Sequence, residues 1–396
     1  MPFAQRIAHL KAEGAYAVLA RAQALEAQGR DIIHLEIGQP DFDTYEHIAQ
    51  AGIHAIAQGK TRYNPPAGIP KLRQAIAQDA GRRRGLDITP DQVIIAPGTK
   101  PLILLPMLAL LEPGDQVIYP DPGFPSYAAA IGLVGAVPVP VPLLEEQGYD
   151  LDLTAFDRAL SARTRMVLLN SPSNPTGGIN SPETLAHIAT VARARQLWVL
   201  SDEIYGQLVY QDSSATTSDR DLHSIASLPG MPGRTIIADG FSKTYAMTGW
   251  RLGFGIMPPP LAEKLNLLLT HSVGCTATFT QYAGLEALLG PQDQVQEVVA
   301  QFRRRRDRIV TGLNAIPGVR CPMPQGAFYA FPNVQAFGRT SDELADYLLE
   351  EAGVAVLPGT AFGRNGEGYL RLSYANSMES IERALARMAA AFSKLG

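Results

Sequence analysis

The chain has 396 residues, enough for two or three compact units at about 150 residues each. Hydrophobic residues make up 46% and charged residues 18%, which excludes a disordered chain. Lys and Arg number 34 against 38 Asp and Glu, a net charge of -4, so nothing in the balance calls for nucleic acid or an anionic membrane as partner. The longest apolar run, Leu102 to Leu111, is interrupted by Pro106 and falls far short of the roughly 20 residues of a membrane helix. The first thirty residues lack the basic, apolar and small-residue order of a signal peptide, and Cys275 and Cys321 form no CxxC pair. The expectation is a cytoplasmic protein without disulfides.

Several chemistries are excluded by spacing. The seven histidines include no HExxH, so no metal site is expected. Gly59-Lys60-Thr61 resembles the end of a phosphate loop, but His54 stands where its first glycine belongs. Gly253-Phe254-Gly255 lacks the third glycine of a dinucleotide fingerprint. The basic run Arg303 to Arg306 sits in a helical stretch without an aromatic ladder around it and reads as a solvated or salt-bridged helix face.

In chain order, an amphipathic helix is predicted over Ala15 to Gln28. Short apolar runs then alternate with helical patterns. The runs are Gln92 to Ala96, Gln116 to Tyr119, Thr164 to Leu169, Trp198 to Ser201, Thr235 to Ala238 and Leu252 to Met257, with Gln211 to Arg220 a polar loop. Such alternation predicts an α/β unit with a mostly parallel sheet covered on both faces. Ligands of such sheets sit beyond the carboxyl ends of the strands, where Asn170, Asp202, Asp239 and Gly240 fall. The remainder predicts a smaller α+β layer. It holds a helix over Val295 to Asn314, a strand from Gly326, a helix at Ser341 to Ala352, strands at Val354 to Leu357 and Tyr369 to Ser373, and a terminal helix. The first helix is expected to pack on this layer.

The segment from Phe241 to Gly253 carries the most chemistry. Lys243 follows a strand end, where a half-desolvated amine has a lowered pKa and can condense with an aldehyde. Arg251, eight residues on, can return to the same edge as a phosphate clamp. Ser171 to Gly178 and Ser201 to Tyr205 also follow predicted strands. Alone, Asn174-Pro175-Thr176-Gly177 is a turn and Asp202-Glu203 a solvated acid pair; together with Lys243 they could surround one ligand.

From about Ile37 through Arg371, and in order, these motifs resemble the fold-type-I pyridoxal-phosphate enzymes, specifically the class I/II aminotransferases and among them the bacterial aspartate aminotransferases. The resemblance implies a large cofactor domain over 45–285 with a mostly parallel seven-stranded sheet, and a small domain from 1–44 and 286–396. It implies pyridoxal 5′-phosphate as cofactor, joined to Lys243, which also moves the substrate proton. Asp202 would pair with the pyridine nitrogen, Asn174 and Tyr205 would donate to the 3-oxygen, and Phe124 would stack on the ring. Gly98, Thr99 and Lys100 begin a helix suited to an anion, with Ser242 and Arg251 completing a phosphate cup. Tyr63 matches a tyrosine that reaches the partner subunit's phosphate, which implies a homodimer with shared active sites. Arg371 and Gly38 would hold the α-carboxylate, with Asn174 beside it. Lys100 lies where one aspartate aminotransferase subgroup binds a distal carboxylate, although Ala15 and Tyr16 replace the hydroxyl partner expected there.

The implied reaction moves an amino group between an L-amino acid and a 2-oxo acid in two half-reactions, with aspartate or glutamate favoured and aromatic donors possible. A cystathionine-type β-lyase on the same fold is the alternative. A non-catalytic regulatory module is disfavoured, because the resemblance begins by Ile37 and is expected to leave no room for a winged helix before it.

Overall fold

The computed structural model describes residues 3, 4, 7, 10, 14–210 and 224–395; the polar loop predicted at Gln211 to Arg220 lies outside them. After β1 (Ile33–His34), the apolar runs become β2 (Val93–Ala96), β3 (Gln116–Asp121), β4 (Val137–Leu144), β5 (Asp150–Leu151), β6 (Thr164–Asn170), β7 (Trp198–Asp202), β8 (Thr235–Gly240) and β9 (Gly253–Ile256). Strands β2 to β9 form one sheet in the order β2-β9-β8-β7-β6-β3-β4-β5. The run β4-β3-β6-β7-β8 is parallel, while β9 is antiparallel to both β2 and β8. The expected α/β fold is present, but the sheet has eight strands rather than seven because the two-residue β5 pairs with the end of β4.

No strand is expected at β4 from its residues, Val-Pro-Val-Pro-Val-Pro-Leu-Leu, in which the first three valines alternate with prolines. The register explains why the strand tolerates them. Val137 donates its N–H to the Asp115 oxygen, so Val137, Val139 and Val141 face β3 while Pro138, Pro140 and Pro142 face the other side. On that side β5 pairs only with Leu143 and Leu144, so no ladder bond needs a proline N–H.

Side chains alternate between the two faces of the central strands. Met166 and Leu168 join one cluster with Leu102, Ile103 and Leu265, and Val167 and Leu169 join another with Leu185 and Ile188. The first cluster is covered by helices Lys100–Leu110 and Pro259–His271, the second by Pro182–Arg195. Both faces of the sheet are therefore dry, and polar chemistry is confined to its ends.

The smaller layer is built on the long helix Asp293–Asn314 and the terminal helix Met378–Phe392. They flank β10 (Tyr329–Ala330), β11 (Val354–Ala355), β12 (Leu357–Pro358) and β13 (Leu370–Ser373). The single strand predicted at Val354 to Leu357 is split. β11 pairs with β1, and β12 pairs with β13. The first helix, Gly14–Glu26, buries Ala22 against Ile32, Leu349 and Ala355, so it does pack on this layer. Of the two faces expected for the basic run, the salt-bridged one is found at Arg305 and Arg306. Arg305 and Arg306 are buried. Arg305 forms a bidentate pair with Asp41 (2.7 and 2.9 Å) and lies 4.8 Å from the Phe42 ring centroid.

Behind the sheet edge is a buried charge cluster. Helix Pro70–Arg84 ends at Gly85, which has φ of 62°, and its last residue turns inward. Arg84 pairs with Glu203 at 2.7 Å and Asp239 at 2.9 Å, and Glu203 also accepts from the hydroxyls of Ser201 and Ser224. Removing one partner of a buried ion cluster leaves the others uncompensated, at a cost of about 3–5 kcal/mol. Arg84→Ala should therefore lower the unfolding free energy read from a urea transition by an amount of that order; a transition that coincides with that of the unsubstituted chain would contradict the ion cluster's role.

Candidate active site

Three parallel strands deliver their ends to one edge. Asn170 is in register with Asp202, and Asp202 with Ala238, so the segments that follow β6, β7 and β8 emerge side by side. Beyond them is a cavity of about 960 Å³. Of the residues singled out in the sequence, Gly38, Thr99, Lys100, Phe124, Asn174, Asp202, Tyr205, Ser242, Lys243, Arg251 and Arg371 all line it. Gly98 lies behind Arg251 rather than on the cavity wall. Tyr63 is fully exposed and is not part of the cavity.

Lys243 leaves β8 after the buried Phe241 and Ser242. Its Nζ donates to the Gly38 carbonyl at 2.7 Å and lies 5.9 Å from the ring centroids of both Tyr205 and Phe328. Burial, reinforced by the positive charges of Arg371 and Arg251, pushes its ammonium down to about 8. A useful fraction of neutral amine is therefore present near neutral pH.

Asp202 is buried at the end of β7. Burial pushes its carboxyl up to about 6, against the hydrogen bond from Tyr127, whose hydroxyl donates to Oδ2 at 2.7 Å. Asn170 holds the Asp202 carbonyl (3.1 Å) and accepts the Asn174 N–H (2.9 Å), which fixes the Asn174 turn against β7. Asn174 Oδ1 is buried without a protein partner. The Tyr205 hydroxyl is 2.7 Å from that of Tyr329.

The opposite end of the cavity suits an anion. Helix Lys100–Leu110 begins there; Pro101 has no N–H and Leu102 donates to the Thr99 carbonyl at 2.9 Å, so it is the positive end of the helix dipole that suits an anion. Gly98, with φ of 89°, adopts a backbone conformation that favours glycine, and a Cβ there would lie 2.2 Å from Arg251 Nη2, so a side chain would push the guanidinium from its position. Arg251 itself adopts a φ of 55°, uncommon for a side-chain-bearing residue, and donates to the Thr248 carbonyl at 2.9 Å. Lys100 Nζ is 5.4 Å from the Phe124 ring centroid.

Arg371 comes from β13 in the smaller layer. It is buried, donates from Nη2 to the Glu36 carbonyl, and leaves Nε without a protein partner. An unpaired N–H on a buried guanidinium is costly unless a ligand oxygen meets it. A Cβ on Gly38 would lie 2.3 Å from the Tyr329 oxygen, so glycine alone fits between that hydroxyl and the Lys243 contact.

The set fits pyridoxal phosphate: an amine of lowered pKa, a buried carboxylate, an unsatisfied amide, and a helix start with an adjacent guanidinium. Two contributors escaped the sequence analysis. Tyr127 lies three residues after Phe124, but nothing local shows that its hydroxyl meets Asp202. Tyr329 was read only as part of a strand.

Residues 30–388 match the family model described as aminotransferase class I and II. The chain is 39% identical to an aspartate aminotransferase of Pyrococcus horikoshii, over 97% of this chain and 96% of that one. It is 41% identical to aromatic-amino-acid aminotransferase 2 of Thermococcus litoralis, over 91% and 92%. The solved structure of aspartate aminotransferase from Thermus thermophilus with maleate superposes with a TM-score of 0.93 at 37% identity, covering 99% of this chain and 100% of that one. Family match, near-complete relatives and shared fold together establish that this chain belongs to the class I and II aminotransferases, which are pyridoxal-phosphate-dependent transaminases of fold type I.

Proposed function

We propose that this aminotransferase prefers dicarboxylic amino donors, aspartate or glutamate, and that its active sites are completed in a homodimer. The observation that carries the donor preference is that Arg371 and Lys100 line the same cavity as Lys243. Two separated cations suit a substrate with two carboxylates. The Pyrococcus and Thermus relatives named for aspartate support this reading. Tyr16, also on the cavity wall and 65% exposed, favours a second reading in which an aromatic side chain lies against the first helix.

In this assignment the N–H groups at the start of helix Lys100–Leu110, with Gly98, Thr99, Ser242 and Arg251, hold the cofactor phosphate. Phe124 would cover the ring face, Asp202 would meet the ring nitrogen, Asn174 and Tyr205 would meet the 3-oxygen, and Lys243 would hold the aldehyde carbon until the substrate amine displaces it and frees its Nζ as a base. When bound, pyridoxal phosphate supplies an electron-withdrawing ring that accepts the charge left when a substrate loses its Cα proton. Arg371 grips the α-carboxylate from two sides and the Gly38 N–H meets one of its oxygens, which orients Cα–H toward Lys243. Asn174 adds its amide on the carboxylate side. Lys243 Nζ then takes the Cα proton, and in the second half-reaction returns a proton to C2 of the incoming 2-oxo acid. Its lowered pKa makes it a base at working pH without leaving it permanently neutral.

The division we adopt is a large domain of 45–285 and a small domain of 1–44 with 286–396. Tyr63 supports the dimer. It is fully exposed, yet its neighbour Asn64 is anchored to the Thr276 carbonyl (2.8 Å) and the Thr278 hydroxyl (2.9 Å), so Tyr63 is held outward, as reaching a partner's phosphate would require. Ile53, Ile56, Leu267 and Val273 are exposed as well, apolar area that a second copy would cover. No described helix is long and apolar enough to cross a membrane. We place the enzyme in the cytoplasm, in amino acid biosynthesis, acting on small molecules without nucleic acid.

Lys100→Ala should raise KM for aspartate by about tenfold or more, the loss of one charge-assisted contact, and change KM for phenylalanine less than about twofold. Equal effects on the two donors would overturn the dicarboxylate assignment, and pyruvate release without a 2-oxo acid acceptor would instead favour β-elimination. Light scattering should give twice the mass of one chain, 42.6 kDa; a monomer with full activity would overturn the shared site.

A further inference from the structure

Tyr205 and Tyr329 make a contact that constrains their protons. Their hydroxyl oxygens are 2.7 Å apart and both side chains are buried. Each hydroxyl has a single proton, and a contact of that length needs one of the two as donor. If the Tyr205 proton is committed to the 3-oxygen of the cofactor, the proton between the two rings has to come from Tyr329. The surroundings favour that order. Tyr329 lies on β10, which pairs with β13, and the Arg371 guanidinium carbon is 4.7 Å from its ring centroid. A cation at that position withdraws electron density and strengthens the phenol as a donor. Burial raises the Tyr329 phenol overall, while Arg371 pulls against that. The Gly38 backbone closes the other side, since a Cβ there would lie 2.3 Å from the Tyr329 oxygen.

We propose that Tyr329 is a positioning residue for transamination: its hydroxyl donates to the Tyr205 oxygen, keeps the Tyr205 proton on the cofactor's 3-oxygen, and so connects the Arg371 carboxylate clamp with the electronic state of the cofactor. This rests on the assignment of Tyr205 to the 3-oxygen given above. Hydrogen bonds in series strengthen one another. A Tyr205 oxygen that accepts from Tyr329 is a better donor in turn, and it stabilises negative charge on the 3-oxygen. The Lys243–cofactor adduct then gives up its proton at lower pH.

The test is a pH titration of the visible absorption of the holoenzyme. Tyr329→Phe should raise the midpoint by about half a unit to one unit, the scale of one weakened hydrogen bond. Tyr205→Phe should raise it further. The double variant Tyr205→Phe/Tyr329→Phe should match Tyr205→Phe alone within about 0.2 unit, because Tyr329 acts only through Tyr205. Incorporating 3-fluorotyrosine at position 329, which keeps the hydroxyl but makes it more acidic, should lower the midpoint, and it remains informative if Tyr329→Phe folds poorly. A Tyr329→Phe midpoint equal to that of the unsubstituted enzyme overturns the proposal, as does additivity in the double variant. A merely structural Tyr329 would lower the thermal unfolding midpoint of the cofactor-free chain and leave the titration in place. If Tyr205→Phe shifts the midpoint while changes at Tyr329 do not, only this proposal falls. If Tyr205→Phe leaves it unmoved, the Tyr205 assignment falls as well.

Discussion

An ammonium at the end of β8 has little room for water. Tyr205 and Phe328 flank Lys243, Gly38 holds its Nζ, and the cationic Arg371 and Arg251 stand in the same cavity. Removing hydration from a charged amine favours its neutral form, and neighbouring cations favour it further. The carboxylates nearby are each held by a partner. Asp202, whose charge acts on the amine in the opposite direction, accepts from Tyr127, and Glu203 and Asp239 pair with Arg84, with Arg83 also near Asp239. Without Arg84, Glu203 would keep the Ser201 and Ser224 hydroxyls and Asp239 would keep Arg83, but the added negative charge near the strand ends would favour protonation of the amine that the cavity otherwise drives toward neutrality.

The site also joins the two layers of the molecule. Lys243 and Asp202 belong to the sheet, whereas Arg371 belongs to β13 and Gly38 to the segment after β1. That segment is fixed to the smaller layer through the bidentate Asp41–Arg305 pair and the edge-on contact of Phe42 with Phe302. The Lys243–Gly38 hydrogen bond is therefore a direct contact between the layer that holds the amine and the layer that holds the carboxylate clamp. Tyr329 extends the same junction from the other side, with its hydroxyl on Tyr205 and its ring against Arg371.

Much of this was legible in the sequence because the relevant signals are local. Apolar runs ending in polar residues located β6, β7 and β8, and the residues immediately past those ends supplied Asn174, Asp202 and Lys243. What was not legible depends on pairings between distant segments. Tyr127 and Asp202 are brought together by a helix folding over the sheet, and nothing near either residue announces it. Arg305 and Arg306 carry the local pattern of a solvated or salt-bridged helix face, and which of the two holds is decided by tertiary contacts with Asp41 and Tyr210 that turn them inward. β4 was hidden because alternating prolines argue against a strand until the register shows that they all face the side where no ladder bond is needed.

The central claim, that one desolvated amine at position 243 holds the coenzyme aldehyde, is tested most directly by trapping. The cofactor-free chain is mixed with pyridoxal phosphate from about pH 6 to about pH 10, reduced with borohydride, and the modified lysine located by peptide mass. The expected result is a label at Lys243 whose initial rate climbs with pH and levels off near the amine's pKa of about 8. A label on another lysine such as Lys100, or a rate still climbing toward the ordinary lysine value of about 10.4, would contradict the account.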